Sequence, residues 1–346
     1  MRIFVIGCPH DVGGAGPHCW HTARLWRKYG LEVVFVPVSP VETVWRDRLL
    51  SIGCEINYHI IGNDANHIRH VQGLPGGITI AFCNGGFLEL APQLRVLGCK
   101  TVWLGCMNWL HEAETRHYER WGPFDRYVFQ SYYQQHALTG QLERYGYQKP
   151  RMARIPSPIC VDEYEYNPIG HTTGESFCVG RISRPDTKKF TQNLWDLYGG
   201  IRTNIRARVM GWDKEVEEYV GKPPLWAECL PKGAEPVADF MSKIHCMIQV
   251  GRAKENRPRT CLEAMACGVP VVAPNDSGWK ELIRHGHNGF LCNNPDEISY
   301  YACLLANDEP YRLEMAARAR AELDNIANPD AIWACWQQLF EALQNE

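Results

Sequence analysis

The chain has 346 residues, 45% of them apolar and 22% charged, with a formal net charge of −3. Those numbers describe a foldable globular protein of about two domains, at roughly 100–200 residues each, and exclude a disordered chain. The slight acidic balance argues against a general nucleic-acid binder, which carries a basic excess, so no nucleic-acid partner is expected.

In chain order, the apolar runs "RIFVIG", "LEVVFVPV", "ITIAFC", "KTVWLGC" and "RYVFQS" predict strands in the first half. "SFCVGRI", "ARVMGW", "CMIQVG" and "VPVVAP" predict strands in the second. Runs that are apolar throughout, separated by helix-length segments, are strands buried on both faces, as in a parallel α/β sheet. The pattern occurs twice around a Pro-rich polar break, 154–176. It predicts a doubly wound domain over 1–167, a second over 168–328, and a ligand site at the carboxyl ends of the strands, in a cleft between the two. The final stretch, "DAIWACWQQLFEAL", carries Ile332, Trp333, Trp336, Leu339, Phe340 and Leu343 at helical spacing. It predicts a helix within 329–346.

Fifteen scattered cysteines without a C-x-x-C pair, behind an N-terminal apolar run too short for a secretion signal, point to reduced thiols in a cytoplasmic protein. No window reaches about 18 uninterrupted apolar residues, so no membrane span is expected, while peripheral membrane contact stays open. "PHCWH" (His18, Cys19, His21) has no partner cluster at zinc-ligand spacing. Core packing is the favoured role for Trp103, Trp109 and Trp121, with sugar stacking the alternative.

Chemistry concentrates in "ENRPRTCLEAMACGVPVVAPNDSGWKE", 255–281. Pro258 suits the first turn of a helix and Gly268 the position just beyond its end, which predicts a helix over about 258–267. Its N-terminus offers the N–H groups of Arg259, Thr260 and Cys261 and the positive end of the helix dipole, an anion site. Glu263 lies about 7 Å along the axis from Pro258, and Glu255 stands in the loop on the other side. A ribose, a diphosphate and a sugar fit that order. The alternative is that Glu263 merely pairs with Arg259 one turn back while Glu255 is solvated. The loop "DVGGAGPHC" after the first strand holds Gly13, Gly14 and Gly16, which allow positive φ and close backbone approach.

Glu255, Glu263 and the run "EAMACGVPVVAPNDSGWKELIRHGHNGFL" resemble the donor motif of retaining family-4 glycosyltransferases of the GT-B fold. The resemblance implies two Rossmann-like domains facing a central cleft, the final helix returning to the first domain. It implies a nucleoside diphosphate sugar as donor, most often UDP-linked, a hexosyl group transferred to an acceptor hydroxyl that the sequence does not identify, and no cofactor. In "FCVGRISRPDTKKF" it assigns the donor diphosphate to Arg181 and to Lys189, with Lys188 an adjacent alternative. It places the transferred sugar at Glu255, the ribose at Glu263, the base near Leu230, and Gly14 and Gly16 across the cleft. Many members carry a histidine after a strand of the first domain; here "TVWLGCMNWLHEAE" offers Asn108 or His111. No Asp-x-Asp occurs, so no metal is expected to hold the diphosphate. A GT-B sugar-nucleotide epimerase and a catalytically inactive nucleotide-sugar binding protein are the alternatives.

Overall fold

The computed structural model describes residues 1–10, 14–57, 65–172 and 174–346. The chain divides into two compact units. Unit 1 comprises Met1–Ile159 with Ala327–Glu346, and unit 2 comprises Cys160–Ile326.

Unit 1 holds β1 (Arg2–Ile6), β2 (Glu32–Val36), β3 (Glu55–Ile56), β4 (Ile78–Phe82), β5 (Lys100–Leu104), β6 (Arg126–Phe129) and β7 (Met152–Arg154). They form one sheet in the order β3-β2-β1-β4-β5-β6-β7, parallel throughout. All five residues of β4 are buried, as a strand covered by helices on both faces requires. The helix Pro329–Gln344 packs within this unit. Trp336 meets Trp26, on the helix Ala15–Lys28, edge-on at 4.9 Å between ring centroids, and Phe340 lies 5.9 Å from the same ring.

Unit 2 holds β8 (Phe177–Ile182), β9 (Ile205–Met210), β10 (Ala227–Leu230), β11 (Cys246–Ile248), β12 (Val271–Pro274) and β13 (Phe290–Cys292). Their order is β10-β9-β8-β11-β12-β13, again all parallel. In each sheet the order reverses once, between β1 and β4 and between β8 and β11. At such a switch point the connections depart to opposite faces and leave a crevice at the strands' carboxyl ends.

Two sequence expectations need correction. The boundary falls at 159/160, not 167/168, because the linker residues are tied to unit 2. The Asn167 N–H donates to the Cys267 carbonyl at 3.2 Å, Arg320 donates to the Tyr164 carbonyl at 3.3 Å, and the Tyr164 hydroxyl reaches Glu263 at 3.4 Å. Trp103 is in the core at 1% exposure, but Trp109 and Trp121 are 49% and 45% exposed. Trp121 ends its helix at the surface, beneath the Arg120 guanidinium. No helix among the described residues is long and apolar enough to cross a membrane, and all fifteen cysteines are free thiols.

Candidate active site

The crevice of unit 2 opens where β8 and β11 end. It is shallow and open to solvent, and its walls include Arg181, Lys189 and Glu255 from the sequence expectations, with Gln249, Asp276 and Trp279 added by the structure. Lys189 and Glu255, 66 positions apart, form an ion pair with Nζ and Oε1 at 2.7 Å. Lys188 is exposed, with its backbone N–H on Asp186.

Arg181 is 1% exposed and holds the crevice wall together. Its guanidinium donates to the Val250 carbonyl at 2.7 Å and to the Lys189 carbonyl at 2.5 Å, and lies 4.1 Å from the Phe190 ring centroid. Burial lowers its pKa from the usual arginine range. Its Nε has no hydrogen-bond partner, so Arg181 retains donor capacity beside the crevice while fixing the backbone that carries Lys189.

The loop carrying Glu255 is clamped by the turn that follows β12. The Glu255 N–H donates to Ser277 Oγ at 3.2 Å, and the Gly278 N–H donates to the Glu255 carbonyl at 2.9 Å. Ser277 sits at φ +50°, a conformation that persists only where surrounding contacts over-determine it. Ser277 Oγ also bonds Asp276 at 2.8 Å, and Asp276 pairs with Lys254. A Cβ at Gly278 would lie 1.7 Å from the Asn256 carbonyl oxygen, and one at Gly251 would lie 2.3 Å from that of Lys189. Backbone cannot yield as a flexible side chain can. Gly278→Ala is therefore expected to destabilise unit 2 by about 1–3 kcal/mol, as overpacking does, and to displace Glu255; an unchanged urea midpoint would contradict the clamp.

The helix runs over Arg259–Cys267, one residue shorter than expected, with Pro258 outside it at ψ 105° and Gly268 left-handed at φ +80°. Its N-terminus is less open than the sequence suggested, because the Cys261 N–H donates to the Pro258 carbonyl at 3.1 Å. Glu263 is 5% exposed and makes the pairing that was the alternative reading: Oε1 is 3.3 Å from Arg259 Nε and accepts from Tyr164. Burial raises the Glu263 carboxyl's pKa and Arg259 opposes the rise. Neither Glu263, Arg259 nor Thr260 is among the residues lining the crevice. Thr260 approaches it through Gln249, whose Nε2 lies 3.5 Å from Thr260 Oγ1 and donates to the Ile182 carbonyl at 2.5 Å. That second bond fixes the amide orientation and leaves Oε1 buried without a partner. A polar residue directly after the fully buried β11 was the available signal for Gln249, and the sequence reading passed over it.

The remaining sites stand apart from this cluster. At Leu230 the carbonyl accepts from Gly211 and Trp212 at 3.0 and 2.9 Å, so both of its lone pairs are used and it is a poor acceptor for a base. Gly14 and Gly16 belong to unit 1; Gly13 lies outside the described residues. Neither Gly14 nor Gly16 uses the positive φ that glycine allows. Gly16 is needed instead for close approach, since a Cβ would lie 2.2 Å from the His10 carbonyl oxygen. His111 precedes the helix Glu112–Trp121 and its ring is hydrogen-bonded to Cys83. Asn108 is half-buried in the loop between β5 and that helix.

Residues 172–322, nearly all of unit 2, match the family described as Glycosyl transferases group 1. That segment belongs to the glycosyl transferases group 1 family. The group 1 segment contains the whole crevice. An uncharacterized glycosyltransferase of Haemophilus influenzae is 40% identical over 82 residues, 23% of this chain and 22% of its own length. N-acetyl-alpha-D-glucosaminyl L-malate synthase of Bacillus anthracis is 36% identical over 106 residues, 30% of this chain and 28% of its own. The matched stretches thus span about a quarter of these relatives. Among solved structures, Anabaena HepE in complex with UDP and glucose aligns over 100% of both chains with a TM-score of 0.77 at 17% identity. At that identity the likeness establishes the fold alone: two parallel α/β sheets, as in proteins of the GT-B fold.

Proposed function

We propose that the chain is a retaining glycosyltransferase that moves a hexosyl group from a nucleoside diphosphate sugar, with UDP as the favoured carrier, to an acceptor hydroxyl. The observation that supports this best is the Lys189–Glu255 pair, set in a crevice at the switch point of a group 1 sheet. HepE, a protein of the same fold, has been crystallised with UDP-glucose.

The chemistry follows from the charges. A diphosphate carries more negative charge than one carboxylate and competes for Lys189. Glu255 is then released to accept from hydroxyls of the transferred sugar, while Lys189 and the remaining N–H groups of Arg181 stabilise the charge that develops on the departing phosphate. The bond from the anomeric carbon to the phosphate oxygen breaks, and the acceptor oxygen bonds to the same face of that carbon. The departing phosphate oxygen takes the acceptor's proton, so no protein base is required. Glu263, through Oε2, and the N–H groups of Arg259 and Thr260 are assigned to the ribose and phosphates; Gly14, Gly16 and the backbone around Leu230 are assigned to the rest of the donor.

Incubation with UDP-, GDP-, ADP- and dTDP-sugars, scored for slow donor hydrolysis, tests the reading. Binding without hydrolysis or transfer would favour a binding protein on this fold, and 2-epimerised sugar as the product would favour the epimerase. Because the chain offers Lys189 and Arg181 and has no Asp-x-Asp, turnover is expected to persist in excess EDTA. A loss restored only by Mg²⁺ or Mn²⁺ would reverse this assignment.

A further inference from the structure

In unit 1, the switch point between β1 and β4 carries a different chemistry. Cys83 follows β4 there, and Cys106 follows β5, the next strand. Phe82 is in register with Leu104, and the Cys83 N–H donates to the Leu104 carbonyl at 3.0 Å. Gly105 therefore stands opposite Cys83, and Cys106 is one residue farther on. The two cysteines thus sit at the adjacent carboxyl ends of paired strands, and the left-handed turn at Cys83 takes its side chain out of the regular strand alternation. The two side chains are already hydrogen-bonded to each other, and the His111 ring bonds Cys83 from a second direction.

The backbone favours charge on the same sulfur. Cys83 has φ +50°, rare for a residue with a side chain, and turns the chain from β4 into the twelve-residue helix Gly85–Val96. Asn84 caps that helix, accepting from the Gly86 N–H at 2.9 Å. Cys83 thus lies at the positive end of a helix dipole beside an imidazole, the surroundings of reactive thiolates. The hydrogen bonds from Cys106 and His111 hold its thiol well below the ordinary range despite burial, and the same contacts raise Cys106 and His111. The buried Glu114 nearby is pushed up to about 7, chiefly by burial. Cys8 and Cys19, in the same unit, are held up by burial, Cys8 to about 12. Cys83 and Cys106 are half-buried residues beside the exposed His111.

We propose that Cys83 and Cys106 form a reversible dithiol–disulfide site, in which a hydroperoxide oxidises Cys83 first and Cys106 resolves the product. In the first step the Cys83 thiolate attacks the terminal peroxide oxygen and the O–O bond breaks. The departing oxygen takes a proton from His111, and Cys83 becomes a sulfenic acid. In the second, the Cys106 sulfur loses its proton and attacks the Cys83 sulfur, the S–O bond breaks and water leaves. Two electrons pass from the sulfurs to the peroxide, and a dithiol reductant returns them. This modification is separate from glycosyl transfer and does not depend on it.

The test is peptide mapping of the full chain after hydrogen peroxide and blocking of residual thiols. Tryptic peptides 70–95 and 101–116 hold one cysteine each, Cys83 and Cys106. The expected result is a cross-link between them that dithiothreitol removes. In Cys106→Ser, Cys83 should persist as a sulfenic acid trapped by dimedone; in Cys83→Ser, Cys106 should remain a thiol. In untreated protein, iodoacetamide should modify Cys83 at least about tenfold faster than Cys8. Circular dichroism establishes that both variants fold, and the wild-type cross-link and alkylation rates need no variant. Equal alkylation of Cys83 and Cys8, or peroxide treatment that leaves the two peptides unlinked, would overturn the proposal.

Discussion

Changing Glu255 to Ala is expected to lower turnover with donor and acceptor about 100-fold, the scale on which misplacing a reacting group acts. Affinity for the free nucleoside diphosphate should be unchanged or tighter. Two features of the crevice lead to this pair of outcomes. Glu255 holds Lys189 at 2.7 Å, so its removal leaves the ammonium without its carboxylate and favours a phosphate. The same removal deletes the group proposed to orient the sugar at the reacting carbon. Calorimetric titration with UDP, run beside turnover, separates the two. Weakening of UDP binding by Glu255→Ala, with turnover spared, would reverse the roles given to the two glutamates. Glu263 is the contrasting case. Its loss should weaken the free nucleotide, but it also strands Arg259 in a buried site, and breaking a buried pair costs about 3–5 kcal/mol. Glu263→Gln keeps the shape and an acceptor, so weaker nucleotide binding in Glu263→Ala that is absent in Glu263→Gln reads as loss of that acceptor once both variants are shown folded.

Trp336→Ala should destabilise unit 1 by about 3–5 kcal/mol, the range for deleting a fully buried large aromatic. Trp336 is 1% exposed and is the edge-on partner of Trp26, itself fully buried. Phe340 lies 5.6 Å from the Trp336 centroid, so the vacated volume is lined by rings that interlock and cannot collapse freely. Urea unfolding followed by near-ultraviolet circular dichroism reports this directly. A loss under about 1 kcal/mol would mean that the last helix is dispensable to unit 1. Trp333→Ala is the internal comparison: Trp333 stacks on Tyr29 at 4.8 Å nearer the surface and should cost less.

The strands legible in the sequence and those that were not separate on one physical line. The nine apolar runs became the nine interior strands of the two sheets. The four strands missed, β3, β7, β10 and β13, are the four sheet edges. An interior strand is covered on both faces and paired on both sides, so most of these strands read as nearly continuous apolar runs, β9 with Arg206 and Arg208 being the exception. An edge strand pairs on one side only and is short: β3 has two residues, and β7 has none buried. The site divides similarly. Glu255 was singled out by its place before the Pro258 turn and Lys189 only through the family resemblance; that the two meet was not legible, because local spacing does not report a contact 66 positions apart. The Ser277–Gly278 clamp is likewise a tertiary contact with no local pattern. Pairing of Glu263 with Arg259, an i, i+4 relation on one helix, was available from spacing alone, and the structure realises it.

Unit 1 is assembled from two separated stretches, 1–159 and 327–346, whereas unit 2 is one continuous stretch, 160–326. During synthesis the order of completion is therefore inverted. A ribosome adding about 5–20 residues per second produces all of unit 2 in the roughly 10–35 s between Ile159 and Trp336. Throughout that interval the face of the Ala15–Lys28 helix bearing Trp26 waits for its aromatic cover. The first stretch made is the last to be sealed, and the nascent chain carries an exposed indole surface that folding chaperones are suited to shield.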